Sequence, residues 1–511
     1  MPSTVLIVAG EAYPLVKTGG LADAVTGLAR ALDRSGVQVR VLLPAYRGVL
    51  SKVHVDGSWP IDGLPGGPAR LVSGRCRVTG LAYLLLDNPA LFDRPGCYVD
   101  EDGHDYVDNA CRYAALAHAA AAVTEGIPML ERPDIVHAHD WHAGLVPMLV
   151  KATGVASVKT VLTIHNLAFQ GVFDLREMQR LELSERARLF GDLRARGRLN
   201  FLRAGICHAD RVTTVSRTYS REVLSPEHGC GLDGALRSRG DAFVALPNGI
   251  DDDLWDPANN VHLQPNGFNV NNLGNKARWK EYVQRAFGLA PDPTALLVVS
   301  CCRLTEQKMA DLTASALPHA FAAQPNLQFA LLGQGQRKLE EAFRTMVTTY
   351  PGRFGAQIGY DEATAHRLLA GADVLWHPSR FEPFGLTPLY AMRYGALPIV
   401  TAVGGLADSI RDPGSDAGEA AMMHANGLLL DRPDSEGVVT VLKRAAHLRV
   451  HDAVWRAMQR NAMSGSYGWS HAVLGYLGLF ATLTGERLTV VSRSKGLRVD
   501  KPGRHQPAVS A

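Results

Sequence analysis

The sequence has few features of a secreted, membrane-bound or nucleic-acid-binding protein. Its seven cysteines include no CxxC pair, which disfavours a disulfide framework or a zinc ribbon and suits a reducing compartment. No apolar run reaches the length of about 20 residues that crosses a bilayer, and no basic segment precedes the first apolar residues. The net charge is only +3, too small for a strong general nucleic-acid footprint. We expect a cytoplasmic protein without membrane or nucleic-acid partners.

Two common nucleotide-binding signatures are also missing. The segment Lys17–Asp23 (KTGGLAD) has neither P-loop nor GxGxxG spacing, which counts against a P-loop NTPase and against a two-domain dinucleotide oxidoreductase. Its glycines, Gly19 and Gly20, still permit close backbone approach to a ligand before a predicted helix. Lys17 is suitably placed there to meet a diphosphate.

Short β-branched runs alternate with helical patterns in both halves of the 511-residue chain. A single core stops growing at about 250–300 residues, so two domains are expected. The alternation predicts parallel sheets with helices on both faces. We therefore predict an α/β fold of two Rossmann-like doubly wound domains facing across a deep cleft. The predicted strands are Val5–Ala9, Val37–Leu43, Leu81–Leu86, Asp134–His139, Val158–His165, Val212–Ser216, Ala295–Cys301, Gln328–Leu332, Ala356–Ile358, Val374–His377 and Leu397–Val400.

The same sequence patterns predict where the two domains begin and end. Residues 1–247 form the predicted N-terminal domain, and residues 248–470 the C-terminal domain. An apolar helix over residues 471–485 is expected to pack back toward the N-terminal domain. The tail, residues 486–511, is basic and rich in Ser, Gly and Pro, which predicts disorder.

Two polar motifs follow predicted strands of the first half. HAHDWHAG contains His137, His139 and Asp140, and a metal site is one interpretation of its histidines. Nothing elsewhere completes such a cluster, so we favour Asp140 as an acceptor for sugar hydroxyls and predict no metal. TIHNL places His165 and Asn166 at another strand end, where both side chains can hydrogen-bond a sugar.

The second half carries two motifs suited to a phosphate. RLTEQK places Arg303 and Lys308 after a strand, where both cations can neutralise a departing diphosphate. Spacing alone would favour two solvated surface cations, and the neighbouring motifs shift the balance toward a phosphate site. SRFEPFGLT then brings Glu382 next to a predicted helix start, whose free N–H groups can face phosphate oxygens. Those N–H groups belong to Gly385, Leu386 and Thr387.

Taken together, the motifs resemble the bacterial glycogen synthase and plant starch synthase family, which has the GT-B fold. KTGGLAD, HAHDWHAGL, TIHNLAFQG, LPNGID, RLTEQK, IGYDEATAH, SRFEPFGLTPLYAMRYG and VGGLAD occur in the family's order. The resemblance implies a retaining glucosyltransferase that moves glucose from ADP-glucose to the non-reducing end of glycogen or a maltooligosaccharide. It implies no cofactor.

The resemblance also implies roles for single residues. Lys17 matches the donor-binding lysine, and Arg303 with Lys308 matches the cations on the diphosphate. Glu382 matches the first acid of the retaining-enzyme signature. The remaining implied residues are, on the sugar and acceptor side, Asp23, Asp140, His165 and Asn166, at the hinge side Asn248, and near the adenine Tyr360.

Three residues depart from the family pattern. Tyr390 stands where a second acid would follow Glu382, Phe384 replaces a cysteine, and Met309 replaces a glycine beside the cations.

Other functions remain compatible with the sequence. They are a GT-B transferase that uses UDP-glucose or another acceptor, a phosphorylase with pyridoxal phosphate, and a glucan-binding protein without catalysis.

Overall fold

The computed structural model describes residues 4–183, 191–414 and 424–485, together with the backbone of Val490–Val491 and Arg498–Val499. It divides into two compact units at Gly249 and Ile250. The first unit also includes the chain from Trp469 onward, and the second also includes Ser216–Tyr219. The rest of the tail predicted to be disordered lies outside the described residues.

The first unit contains a nine-stranded sheet in the order β12-β11-β7-β6-β1-β2-β5-β4-β3, and β8, β10 and β9 form a small separate sheet. The strands are β1 Thr4–Val8, β2 Gln38–Pro44, β3 Val53–Ile61, β4 Ala69–Cys76, β5 Ala82–Asp87, β6 Ile135–His139, β7 Lys159–Ile164, β8 Val172–Phe173, β9 Arg194–Ala195, β10 Arg198–Asn200, β11 Arg211–Thr214 and β12 Phe243–Ala245. The seven strands from β12 to β5 pair in parallel. The sequence predicted all of these seven except β12.

The sheet of the first unit departs from the predicted parallel pairing at one edge. β4 pairs antiparallel with both β3 and β5. Only a short Gly- and Pro-containing segment, residues 62–68, joins β3 to β4, with Gly63, Gly66 and Gly67 at positive φ. A parallel connection needs a dozen or more residues, whereas tight turns produce antiparallel neighbours.

The second unit contains six parallel strands in the order β15-β14-β13-β16-β17-β18. They are β13 Leu296–Cys301, β14 Leu327–Gly333, β15 Phe354–Ile358, β16 Val374–Trp376, β17 Leu397–Val400 and β18 Leu428–Leu429. The sequence predicted five of them and missed β18. The strand order reverses between β13 and β16, and ligands of such sheets bind outside the carboxyl ends at that point. In the first unit the corresponding reversal lies between β1 and β6.

The helices, in chain order, are Gly20–Arg34, Pro89–Phe92, Asn109–Glu125, Val146–Thr153, Phe201–His208, Arg217–Glu222, Asp233–Arg237, Lys276–Ala286, Ala310–Ala323, Arg337–Thr349, Glu362–Gly371, Leu386–Arg393, Gly404–Ser409, Ser435–Val450, Asp452–Met463 and Trp469–Thr484. Among the described residues, no helix has the length and apolar character to cross a bilayer.

The helix Trp469–Thr484 packs within the first unit. The indole of Trp469 lies against Gly27 so closely that a Cβ atom there would come within 1.9 Å of Nε1. Farther along, Tyr476 and Phe480 pack against the ring of His137, with centroids 5.7 and 5.8 Å away. The helix Trp469–Thr484 thus covers His137, in the middle of β6.

Candidate active site

In the second unit, the predicted cations lie on the loop that follows β13. Glu306–Lys308 form one 3-10 turn, and Met309 ends it in the left-handed region at φ 47°. A glycine adopts that conformation without steric cost. Met309 adopts the same conformation although it has a side chain, and that side chain is buried.

Lys308 reaches the loop after β16, because parallel neighbours bring their carboxyl ends together. Its ammonium contacts Oε2 of Glu382 and lies 3.1 Å from Nε2 of His377. Both members of the ion pair are largely buried, with side chains 11% exposed. Ser379 donates its hydroxyl to the same carboxylate oxygen at 3.0 Å.

The Glu382 carboxylate is held in its charged form. Burial acts to raise its pKa, but the positive charge of the Lys308 ammonium is the largest opposing effect, and the pKa lies below its usual range. Because the carboxylate is ionised and paired, it is not a proton donor near neutral pH. The sequence singled out Glu382 and Lys308 separately and gave no sign that they contact each other.

Arg303, at the start of the same loop, is more exposed than Lys308. Its guanidinium donates to Oε1 of Gln307 at 3.3 Å. Gln307 in turn donates to the backbone carbonyl of Phe381 at 3.2 Å. Both predicted cations are therefore linked to the segment that carries Glu382, one through Gln307 and the other directly.

The predicted helix start after Glu382 is present. The helix Leu386–Arg393 follows Gly385, which has φ 90° and ψ 69° and offers no side-chain cap. A Cβ atom on Gly385 would lie 2.6 Å from a methyl of Leu406, so both the backbone and the packing require glycine. The first N–H groups of this helix, including Leu386 and Thr387, have no capping side chain.

Two of the aromatic residues named from the sequence differ sharply in exposure. The ring of Tyr390 stacks on Trp255 with centroids 3.8 Å apart and an interplanar angle of 7°. It is buried, so the residue in place of a second acid serves packing. Tyr360, proposed near the adenine, is 53% exposed on the segment after β15.

In the first unit, the loop after β1 is organised by a carboxylate that sequence analysis missed. Glu11 is buried and accepts hydrogen bonds from the backbone N–H and the hydroxyl of Thr18, both at 2.5 Å. It also accepts from the N–H of Gly19 at 3.1 Å and the hydroxyl of Tyr98 at 2.7 Å. Four donors on one buried carboxylate fix the loop that carries Lys17. A carboxylate three residues after the end of the apolar strand β1 was the available signal.

The two charged residues of KTGGLAD pair with each other. Nζ of Lys17 lies 3.0 Å from Oδ1 of Asp23, on the first turn of the helix Gly20–Arg34. Gly19 precedes that helix in extended conformation. The helix start at Gly20 has no side-chain cap from Gly19, and a helix N-terminus favours an anion.

Asp140 follows β6 at φ 54° and ψ −170°, an uncommon conformation for a residue with a side chain. Its Oδ1 accepts the backbone N–H groups of His165 and Asn166, at 2.7 and 3.3 Å. Burial raises its pKa to about 7, against the effect of those two N–H groups. One oxygen of the predicted sugar acceptor is therefore engaged in holding the loop after β7.

His165 lies within this same cluster. Its Nε2 is 2.9 Å from Nδ1 of His139. Burial lowers the pKa of both rings, so both are neutral near pH 7. His137 is bonded separately, to the hydroxyl of Thr163 at 2.6 Å. His137 and His139, considered above as metal ligands, thus each hydrogen-bond a side chain of the neighbouring segment.

The two predicted asparagines lie in segments that follow strands, Asn166 after β7 and Asn248 after β12. Asn166 accepts the N–H of Ala168 through its side chain at 3.1 Å, which closes a local turn. Asn248 is buried in the first unit, and its Oδ1 has no hydrogen-bond partner among the described residues.

Both halves of the chain match families of known proteins. Residues 4–238 match the family model of the starch synthase catalytic domain, and residues 295–446 match that of glycosyl transferases group 1. A glycogen synthase of Bordetella petrii is 52% identical over 94% of this chain and 92% of its own length. A glycogen synthase of Ralstonia nicotianae is 48% identical, with 94% and 88% covered.

A solved structure shows the same resemblance. The catalytic domain of starch synthase IV from Arabidopsis thaliana, bound to ADP and acarbose, superposes with a TM-score of 0.84 and 28% identity. The match covers 95% of this chain and 100% of that one. A sucrose-phosphate synthase of Thermosynechococcus elongatus has a TM-score of 0.58 and 17% identity, which indicates the shared fold alone.

Proposed function

The chain belongs to the family of glycogen and starch synthases and is a glycosyltransferase, and on this premise we propose that it transfers glucose from ADP-glucose to the non-reducing end of an α-1,4-glucan. The observation that carries the proposal is the buried pair of Lys308 and Glu382 at the point where the second sheet reverses its strand order. The names of the relatives support glycogen or a maltooligosaccharide as acceptor.

The donor diphosphate is assigned to the loop after β13 and the helix that begins at Leu386. Arg303 and Lys308 supply two positive charges, and the uncapped N–H groups of that helix supply partial positive charge. These groups would stabilise the negative charge that builds on the departing ADP, which is the main catalytic task in breaking a sugar–phosphate bond. Tyr360 is assigned to the adenine side.

Glucose is then transferred with retention of its α configuration. The acceptor hydroxyl attacks from the face that the phosphate leaves, and a phosphate oxygen takes the hydroxyl proton. Glu382 stays ionised beside Lys308 and would stabilise positive charge on the reacting sugar. A pair of carboxyl groups as in glycosidases is not part of this mechanism.

The polar groups at the end of β6 and β7 are assigned to sugar hydroxyls. Asp140, His165 and Asn166 form one hydrogen-bonded cluster in the first unit. Neutral His165 can donate or accept there. Lys17 with Gly19 and Gly20 is assigned to the donor, and Asp23 beside them to the sugar and acceptor side. Asn248 is assigned to the substrate through its Oδ1, which has no partner among the described residues.

The test is transfer of radiolabel from ADP-[¹⁴C]glucose or UDP-[¹⁴C]glucose to glycogen, with linkage analysis of the product. We expect α-1,4-linked label from ADP-glucose and little from UDP-glucose. Faster transfer from UDP-glucose would contradict the assignment of ADP-glucose and would identify UDP-glucose as the preferred donor. Binding of glycogen without release of ADP would indicate a glucan-binding protein instead.

A further inference from the structure

His377 lies beside the ion pair but has no part in the function proposed above. It directly follows β16, and its backbone N–H donates to the carbonyl of Ile399 on β17 at 2.9 Å. That bond fixes the start of the loop that carries Glu382. The side chain is 3% exposed, so its ring sits in a position set by the sheet.

The contacts of the ring specify its protonation state. Nε2 lies 3.1 Å from the ammonium of Lys308 and 3.6 Å from Oε2 of Glu382. The contact with Glu382 exceeds hydrogen-bond distance, and an ammonium can only donate, so we assign Nε2 as the acceptor from Lys308 and place the ring proton on Nδ1. Burial, and then the charge of Lys308, lower the pKa of His377 against the opposing effect of Glu382, which agrees with a neutral ring.

Nδ1 of His377 is buried and has no hydrogen-bond partner among the described residues. A buried donor without a partner costs free energy, so the ring is not placed to optimise its own hydrogen bonds. The bond to Lys308 is the side-chain hydrogen bond that this orientation provides.

We propose that His377 is a positioning residue for the donor site, whose Nε2 holds the ammonium of Lys308 in place while a nucleotide diphosphate takes up another of its N–H groups. The inference rests on the proposed function. An ammonium has three N–H groups, and the contacts of Lys308 with His377 and Glu382 use two. A diphosphate oxygen can take the third, or can replace Glu382, without releasing the lysine from His377.

The test uses two substitutions whose side chains have nearly equal polarity and different lengths. His377→Gln places an amide oxygen near the position of Nε2, whereas His377→Asn places its amide near the position of Nδ1 and falls short of Lys308. ADP affinity is measured by calorimetry, kcat and KM for ADP-glucose by steady-state kinetics, and folding by thermal unfolding. We expect His377→Asn to weaken ADP binding about 10- to 100-fold and to raise KM, and His377→Gln to retain most of the affinity.

A purely structural role would move the unfolding temperature of both variants and leave ADP affinity and KM unchanged, and that result would overturn the inference. If His377→Asn does not fold, the comparison moves to His377→Leu, whose side chain has no hydrogen-bonding atom, in wild-type and Lys308→Ala backgrounds. Its effect on ADP affinity should disappear without Lys308, and an equal effect in both backgrounds would overturn the inference. A wild-type protein that binds no ADP would overturn the proposed function as well, so the two failures are distinguishable.

Discussion

The ammonium of Lys308 contacts the carboxylate of Glu382, so the cation assigned to the donor diphosphate and the acid assigned to the sugar form one buried ion pair. Removing one member of such a pair leaves a buried charge without a partner, whereas removing both does not. We expect Lys308→Met to lower the unfolding temperature, and Lys308→Met combined with Glu382→Gln to recover much of the loss. Calorimetric unfolding measures both. Equal losses in the single and double variants would contradict the pairing.

The assignment of the two cations to the leaving group makes a kinetic prediction. Arg303→Ala and Lys308→Ala should each reduce kcat by about 10²–10³-fold, because each removes charge that stabilises the departing ADP. Steady-state assays with ADP-glucose and glycogen measure the change. Arg337→Ala is the matched control, since the Arg337 side chain is 91% exposed on a helix of the same unit. Near-normal kcat in both site variants would discard the assignment.

Glu11 should be as important to the loop that carries Lys17 as any residue named from the sequence. Glu11→Gln turns one accepting oxygen into a donor that faces the N–H and hydroxyl donors of Thr18, Gly19 and Tyr98. We expect kcat/KM for ADP-glucose to fall by about 10- to 100-fold, because hydrogen bonds to a charged group are lost. Tyr98→Phe removes one donor and should have a smaller effect. A loss in Tyr98→Phe that equals the loss in Glu11→Gln would argue against this account.

Asp140 should make stability depend on pH in the acid range. Its pKa rises from 3.8 to about 7 on folding because of burial. Between those values the unfolded chain has lost the proton that the folded protein keeps, so stability falls as pH rises from about 4 to about 7. Asp140→Asn removes that slope. Compared with wild type, the variant should gain on the order of a few kcal/mol across that range, measured by denaturant unfolding. A pH-independent difference would contradict the raised pKa.

Lys276 should make the stability of the folded protein depend on pH in the alkaline range. The buried ammonium donates to the carbonyls of Leu369, Ala370 and Tyr394, at 3.4, 3.0 and 3.0 Å. Burial still lowers its pKa to about 7 from 10.5. Above about pH 7 the folded protein loses a proton that the unfolded chain keeps, so stability should rise up to about pH 10.

The matched comparison is Lys276→Met, which keeps the length of the side chain and has no proton to lose. Wild type should gain stability over this variant as pH rises from about 7 to about 10, by on the order of a few kcal/mol. Equilibrium unfolding at a series of pH values measures the difference. A wild-type advantage that stays constant or shrinks over that range would show that the ammonium remains charged in the folded protein.

The alternation of short apolar runs with helical patterns along the chain was sufficient to predict most of the parallel strands and the division into two units. Strands buried on both faces are short continuous apolar runs, which the sequence shows directly. The helix predicted to follow the glycines of KTGGLAD is Gly20–Arg34 in the structure. The same method missed β3 and β4, because exposed residues interrupt the apolar pattern of β3 and the short connection between the strands was overlooked.

The order of the motifs along the chain was enough to identify the family and to select Lys308, Glu382, Asp140 and His165, since each follows a strand and parallel strands end at one edge. Which of these side chains touch depends on the folded chain. Lys308 and Glu382 are 74 residues apart, and Glu11 meets Tyr98 across 87 residues. A linear pattern records the type and spacing of residues, whereas contacts over such separations follow from the pairing order of strands and the rotation of each side chain, which packing sets.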